Sequence, residues 1–214
     1  MTHTKTKDST VEANATDVEI PAFNLRRLDR EVFDVPIRGT APLIVNRWSE
    51  KAKNMMLEKQ QTKARPKLEA KDPVAMYEAS RYRLDDGRDG FPATAFKAAI
   101  ADAGRYFDGV TMTDLKRMVV VVGEGPDQLV PINYGNISMR EDTPRNANGV
   151  ADLRYRAQFW PWTATIKVRV IRGQFDFDSL LALVDAAGIG GVGEWRPSAP
   201  KSKTGTYGTF EVVE

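Results

Sequence analysis

The chain has no cysteine and a single histidine, His3, among its 214 residues. The first absence removes disulfides, thiolate metal sites and cysteine nucleophiles together, and fits a reducing compartment. The second leaves no histidine base, no His-Asp triad and no histidine-ligated metal, since His3 stands alone in a Thr- and Lys-rich leader. Long apolar runs are missing as well: nothing approaches the roughly 18–20 residues of a membrane span, and the first residues lack a signal peptide's apolar core. A cytoplasmic protein with no membrane partner and no cofactor is expected. Excess charge of one sign is also absent, with 31 Lys and Arg against 29 Asp and Glu. A nucleic-acid partner must therefore be argued from where the charges lie and not from their sum.

The length fits one domain with enough apolar content for a core. Residues 1–19 are polar and without periodicity, which reads as a flexible arm ahead of a single domain over 20–214. Glu31–Trp48 is rich in β-formers interrupted by Gly39 and Pro42, so a first strand bent or bulged at that step is predicted. From Ser49 to Gly90 the composition turns to Lys, Glu, Gln, Met and Ala. Ser49 would cap one short helix and Asp72-Pro73 would open another, in an insertion standing off the core.

Phe91–Phe107 is an amphipathic helix, with Phe96, Ala99, Ile100, Ala103 and Phe107 on one stripe. Lys116–Val122 reads as a buried strand closed by Gly-Glu-Gly-Pro. Asp127–Asp152, with its Asn, Gly and Arg residues, Arg140 among them, reads as a second insertion in the form of a long loop. Leu153–Phe159 and Ala164–Ile171 then alternate as two strands of a hairpin connected by Trp160-Pro161-Trp162-Thr163. Their outward positions carry Arg154, Arg156, Lys167 and Arg169 and no acid. Such a face suits nucleic acid, although an ordinary solvated face is the alternative. Asp176 or Asp178 caps a helix over Ser179–Ala187 that stops at Gly188, and Tyr207–Val213 is the last strand.

Between that helix and that strand lies Gly188–Gly208, GIGGVGEWRPSAPKSKTGTYG, with six glycines and the basic residues Arg196, Lys201 and Lys203. Glycine allows positive φ and close approach, and successive free N–H groups in such turns accept anions. A phosphate chain is the natural guest; the alternative is a long surface turn with Trp195 tucked into the core. The element order, insertions aside, is strand, helix, strand, strand, helix, strand. That order predicts an α+β, ferredoxin-like fold in the manner of RNA-recognition domains: an antiparallel sheet with two helices on one face, the other face free, and two insertions.

On these residues the chain resembles the RAMP superfamily, the RNA-binding proteins of CRISPR effector complexes, and especially their backbone-filament subunits. That family carries a Gly-hydrophobic-Gly, basic loop, Gly-hydrophobic-Gly element at this place. Gly191-Val192-Gly193 matches its first half, and Gly205-Thr206-Tyr207-Gly208 matches the second with one inserted residue. Pro92-Ala93-Thr94-Ala95-Phe96-Lys97-Ala98 is a looser version of the family's first-helix opening. The GEWRP phrase and the ending are also similar to small bacteriophage and prophage proteins, which implies a phage or mobile-element origin in a bacterial host cell. The resemblance implies contact with a single strand through the Gly-rich loop, the helix bearing Lys97 and the insertion after the first strand.

The leading expectation is thus a non-catalytic protein binding single-stranded RNA or DNA and assembling as a homo-oligomer along it, with Trp195 against bases. RNA rests on the resemblance alone. One alternative is a phage structural or interaction protein that binds no nucleic acid. Another is a metal-dependent nuclease using Glu141, Asp142 and Asp152, since two-metal chemistry needs convergent carboxylates. No metal ligand set is assigned.

Overall fold

The computed structural model describes residues 25, 27–48, 50–61, 70–144, 149, 151–200 and 204–213. The 1–19 arm, the Ser49 cap, Lys201 and Lys203 lie outside the described residues. The strands are β1 (Arg30–Gly39), β2 (Leu43–Val45), β3 (Tyr82–Arg83), β4 (Asp89–Pro92), β5 (Val120–Val122), β6 (Leu129–Pro131), β7 (Asn133–Asp142), β8 (Arg154–Ile171) and β9 (Phe210–Val212). The helices are α1 (Glu50–Gln61), α2 (Pro73–Ala79), α3 (Ala93–Ala103), α4 (Met112–Met118) and α5 (Phe177–Gly190).

The main sheet is built on β8. One edge of this 18-residue strand pairs with β1 and then β2, and its other edge pairs with β5 and then β7. β9 adds to the far side of β1. All these pairings are antiparallel and give the spatial order β9-β1-β8-β5. This is the ferredoxin-like arrangement that the element order predicts. Val35, Ile37, Ile166, Val168 and Val170 form one core with Phe96 and Ile100 of α3 and Leu180 and Val184 of α5. The two helices also pack on each other, so both lie on one face. Asp176 caps α5 by accepting from the Ser179 N–H at 2.7 Å. A smaller sheet, β3-β4-β6, joins the core through the edge-on Phe91–Phe96 pair.

The expected bend in the first strand is present. Residues 39–42 face residues 160–162 of β8, one residue more on the first segment, which is a bulge. Gly39 sits there because Trp162 fills the space: a Cβ on Gly39 would lie 2.0 Å from Trp162 Nε1, which donates to the Ala41 carbonyl at 2.8 Å.

Several expected elements differ. There is no hairpin over Leu153–Ile171: Trp160–Thr163 continues one strand, and Trp162 is 1% exposed, while Trp160 is exposed. The inward positions are odd-numbered up to Phe159 and even-numbered from Trp162, with a cis Trp160–Pro161 peptide at the switch. Asp127–Asp152 is no long loop, because β6 and β7 occupy much of it and β7 runs along β8. Lys116–Met118 close α4, capped by Thr111, and only Val120–Val122 are strand. Phe91 belongs to β4, and after Ala103 the chain tightens into a 3-10 turn. α5 passes through Gly188 and ends at Gly191, φ 68°. The first insertion does not simply stand off the core. α2 packs on β8, where the Ser80 hydroxyl accepts from the Ala157 N–H at 2.9 Å.

Candidate nucleic-acid interface

The face of the sheet away from the helices is where the predicted basic residues meet. The parity switch at Trp160–Pro161 keeps Arg154, Arg156 and Gln158 on the same side as Thr163, Thr165, Lys167 and Arg169. In its upper half the face is open. Lys167 is exposed and Arg169 half-buried, and neither carries an ion pair with a described residue. The nearest acid in register is Asp34, opposite Lys167 on β1. Arg38 is answered by Glu211 across β1 and β9.

In its lower half the face is not free, as the sequence suggests, but roofed by the Gly-rich loop. Ile44 is opposite Gln158 and so points to this face, yet it is fully buried. The Glu194 N–H donates to the Ile44 carbonyl at 2.9 Å, and the Gly208 N–H donates to Pro42 O at 2.9 Å. Glycine is required where the loop meets the sheet. Gly193 has φ 80°, and a Cβ there would lie 2.6 Å from Ile44 O. Gly208 has φ 67°, and its Cβ would lie 1.8 Å from Val192 O. The glycines thus serve the turn itself and its close approach to the protein's own β2, Gly193 against Ile44 and Gly208 against Val192 within the loop.

Arg140 on β7 reaches up to the loop. Its guanidinium lies 4.7 Å from the Tyr207 ring centroid and donates to the Tyr207 hydroxyl at 3.0 Å, to Gln158 Oε1 at 3.2 Å and to Asp142 Oδ1 at 2.8 Å. Its pKa is pushed up despite the desolvation that opposes this, through Asp142 and Tyr207. Arg140, Asp142, Thr143, Trp195, Thr204, Gly205 and Tyr207 line a cleft of about 290 Å3 between β7 and the loop. Trp195 holds φ 58°, an uncommon conformation for a bulky residue, and its buried indole Nε1 has no acceptor among the described residues. It is only partly buried, so it is neither a core residue nor a free one.

Arg156 is the main departure from expectation. It points outward as the alternation requires, but the loop leaves it 2% exposed. Its Nη1 is 3.4 Å from Asp142 Oδ2, its Nη2 is 3.6 Å from Glu194 Oε2, and its Nε has no partner among the described residues. Burial pulls its pKa down against the pull of Glu194. Arg154 is taken by Asp152 at 2.9 Å, which also accepts from Lys71 at 2.6 Å. Arg196 turns back on the loop, donating to Gly193 O at 2.8 Å and Ser198 Oγ at 3.2 Å. Lys97 lies on α3, on the helix side of the sheet, and is not brought to this face.

Of the carboxylates considered for a metal, Asp142 and Asp152 are each engaged by two cations, and Glu141 faces Tyr155. Among the described residues no group of three His, Asp or Glu side chains could hold a metal ion. None of the described helices is long and apolar enough to cross a membrane. Sequence reasoning did not single out Glu194 or Tyr207 for the site. The signal for Tyr207 is the Gly-Thr-Tyr-Gly phrase itself, while nothing local marks Glu194 as the partner of Arg156.

No protein-family model matches the chain, and no curated protein matches it in sequence. Among solved structures, the crystal structure of Cmr6 from Pyrococcus furiosus superposes with a TM-score of 0.41 at 9% identity, over 87% of this chain and 100% of that one.

Proposed function

We propose that this protein binds single-stranded nucleic acid without catalysis, on the helix-free face of its sheet. The observation that carries the reading is the convergence, in one cleft, of an arginine, two aromatic side chains and the backbone of a Gly-rich loop. An arginine suits a phosphate, ring faces suit unstacked bases, and a strand leaving the cleft along β8 would pass Lys167 and Arg169. Lys201 and Lys203 extend the same basic loop in sequence. RNA is preferred over single-stranded DNA on the RAMP resemblance of the sequence. Two finer expectations belong to the same reading: a phage or mobile-element setting in a bacterial cytoplasm, and head-to-tail assembly along the strand.

Gel shifts with single- and double-stranded RNA and DNA, with and without magnesium, test it. Binding of single strands with no cleavage is expected. Absence of binding to any single strand at low salt would overturn it, and magnesium-dependent cleavage would favour the nuclease alternative.

A further inference from the structure

The basic residue that looks most suited to a phosphate, Arg156, is the one that cannot reach solvent. Its cover is a carboxylate on the loop. Glu194 stands 3.6 Å from Arg156 Nη2, with about 40% of its own side chain exposed. Asp142 is 3.4 Å from Nη1, and Nε has no acceptor among the described residues. Charge-assisted hydrogen bonds are normally about 2.7–2.9 Å, so this guanidinium is poorly satisfied by the acids around it. A planar fork with a free Nε and a loosely held Nη2 on one edge is the geometry that an oxyanion takes bidentately.

We infer that Arg156 is a concealed phosphate site and that Glu194 is its resident stand-in, exchanged for a backbone phosphate when a single strand enters the neighbouring cleft. The inference rests on the single-strand reading above. The Glu194 side chain can rotate into water because it is already half exposed, while its backbone N–H stays on Ile44. Asp142 remains as a counter-charge beside Arg140 and Arg156, which limits the site to one phosphate and disfavours a dense polyanion. Trp195 is the next residue in the chain, so the exchange also changes the surroundings of an indole that now lacks an acceptor.

The test compares wild type with Glu194→Gln, Glu194→Asp and, as a control for charge alone, Glu141→Gln, whose residue is exposed on β7 and faces Tyr155. The probes are labelled oligouridylate and oligothymidylate of about twenty nucleotides, enough to span one site. Removing the competitor should tighten binding roughly two- to fivefold, the worth of one half-exposed charge pair. The salt slope should stay at the wild-type value, because the same phosphate ends on Arg156 in both proteins. Glu194→Asp keeps the charge but shortens its reach, and should give a smaller gain in the same direction. A gain in affinity is not what a damaged fold produces. If wild type binds and the Glu194 variants bind no tighter than wild type, or no tighter than Glu141→Gln, the exchange is wrong and the single-strand reading stands. If neither wild type nor any variant binds either probe, both fall together.

Discussion

The Arg140 guanidinium lies over the ring of Tyr207, 4.7 Å from its centroid, and so fastens β7 to the Gly-rich loop. Such a contact is worth about 0.5–1 kcal/mol at an exposed site. Tyr207→Phe keeps the ring and loses one hydrogen-bond acceptor, whereas Tyr207→Ala loses both. Hydrogen exchange over residues 191–208 should be close to wild type in the first and clearly faster in the second, with single-strand affinity falling in the same order. Equal exchange in both would show that the ring does not hold the loop.

Gly193→Ala places a Cβ 2.6 Å from Ile44 O and 2.9 Å from Leu43 Cδ1, at φ 80°. The loop cannot keep its seat on β2. A loss of about 1–3 kcal/mol in local stability is expected, with weaker strand binding but an unchanged salt slope. A flattened slope would mean that charge, and not shape, had been altered.

Lys167 and Arg169 on β8 are, with Arg30 on β1, cations of the open face that lack an ion pair with a described residue. Replacing both with Ala should reduce the slope of log affinity against log salt by roughly 1.4, about 0.7 for each phosphate contact on a single strand. Arg196→Ala should behave differently, since Arg196 is engaged with Gly193 O and Ser198 Oγ. It should loosen the loop and leave the slope nearly intact. Equal slopes in all three proteins would remove the open face from the binding path.

Trp160 and Trp162 separate surface from core. Trp162→Ala empties a buried position and frees the Ala41 carbonyl, and should cost about 3–5 kcal/mol in denaturant unfolding. Trp160→Ala should cost little in stability and, if assembly uses the exposed ring, should lower the sedimentation coefficient at high concentration. Identical sedimentation would exclude Trp160 as an assembly contact.

Asp152 is held below the usual carboxylate range, first by the Lys71 ammonium and then by Arg154. A depressed folded-state pKa stabilises above the unfolded value, near about 3.9, and the contribution is lost as the pH falls through the folded value. Asp152→Asn should therefore be less stable than wild type at neutral pH, by a small amount given the exposure of the pair, with the two melting curves converging in acid. A gap that persists at low pH would point to packing instead.

The parts of the fold legible in the sequence are those with local signals. The Phe96–Ala103 stripe marks α3, Asp176 marks the start of α5, and Gly39 with Pro42 marks the bulge. β8 reads as a hairpin because its inward parity changes at Trp160–Pro161, which from sequence looks like a turn between two strands. β7 is hidden because Ile137 is its only apolar residue that packs well inward, while Asn133, Gly135 and Asn136 are turn formers. The basic parity of β8 was readable, but the burial of Arg156 was not. That depends on Glu194 arriving from 38 residues further along the chain, through a contact between Gly193 and Ile44 that no local pattern encodes.

The position of β8 has a consequence for how the chain is made. β1, β2, β5 and β7 all precede it, and each pairs with residues 154–171, β1 taking β9 as well on its other edge. A nascent chain released from the ribosome tunnel only as far as β7 therefore exposes four strand segments with nothing to pair with in this sheet. Pairings of such long sequence separation form slowly and leave unpaired edges exposed meanwhile. Translation to Ile171 turns those segments into a sheet, and β9 covers the outer edge of β1 only once Phe210–Val212 have emerged.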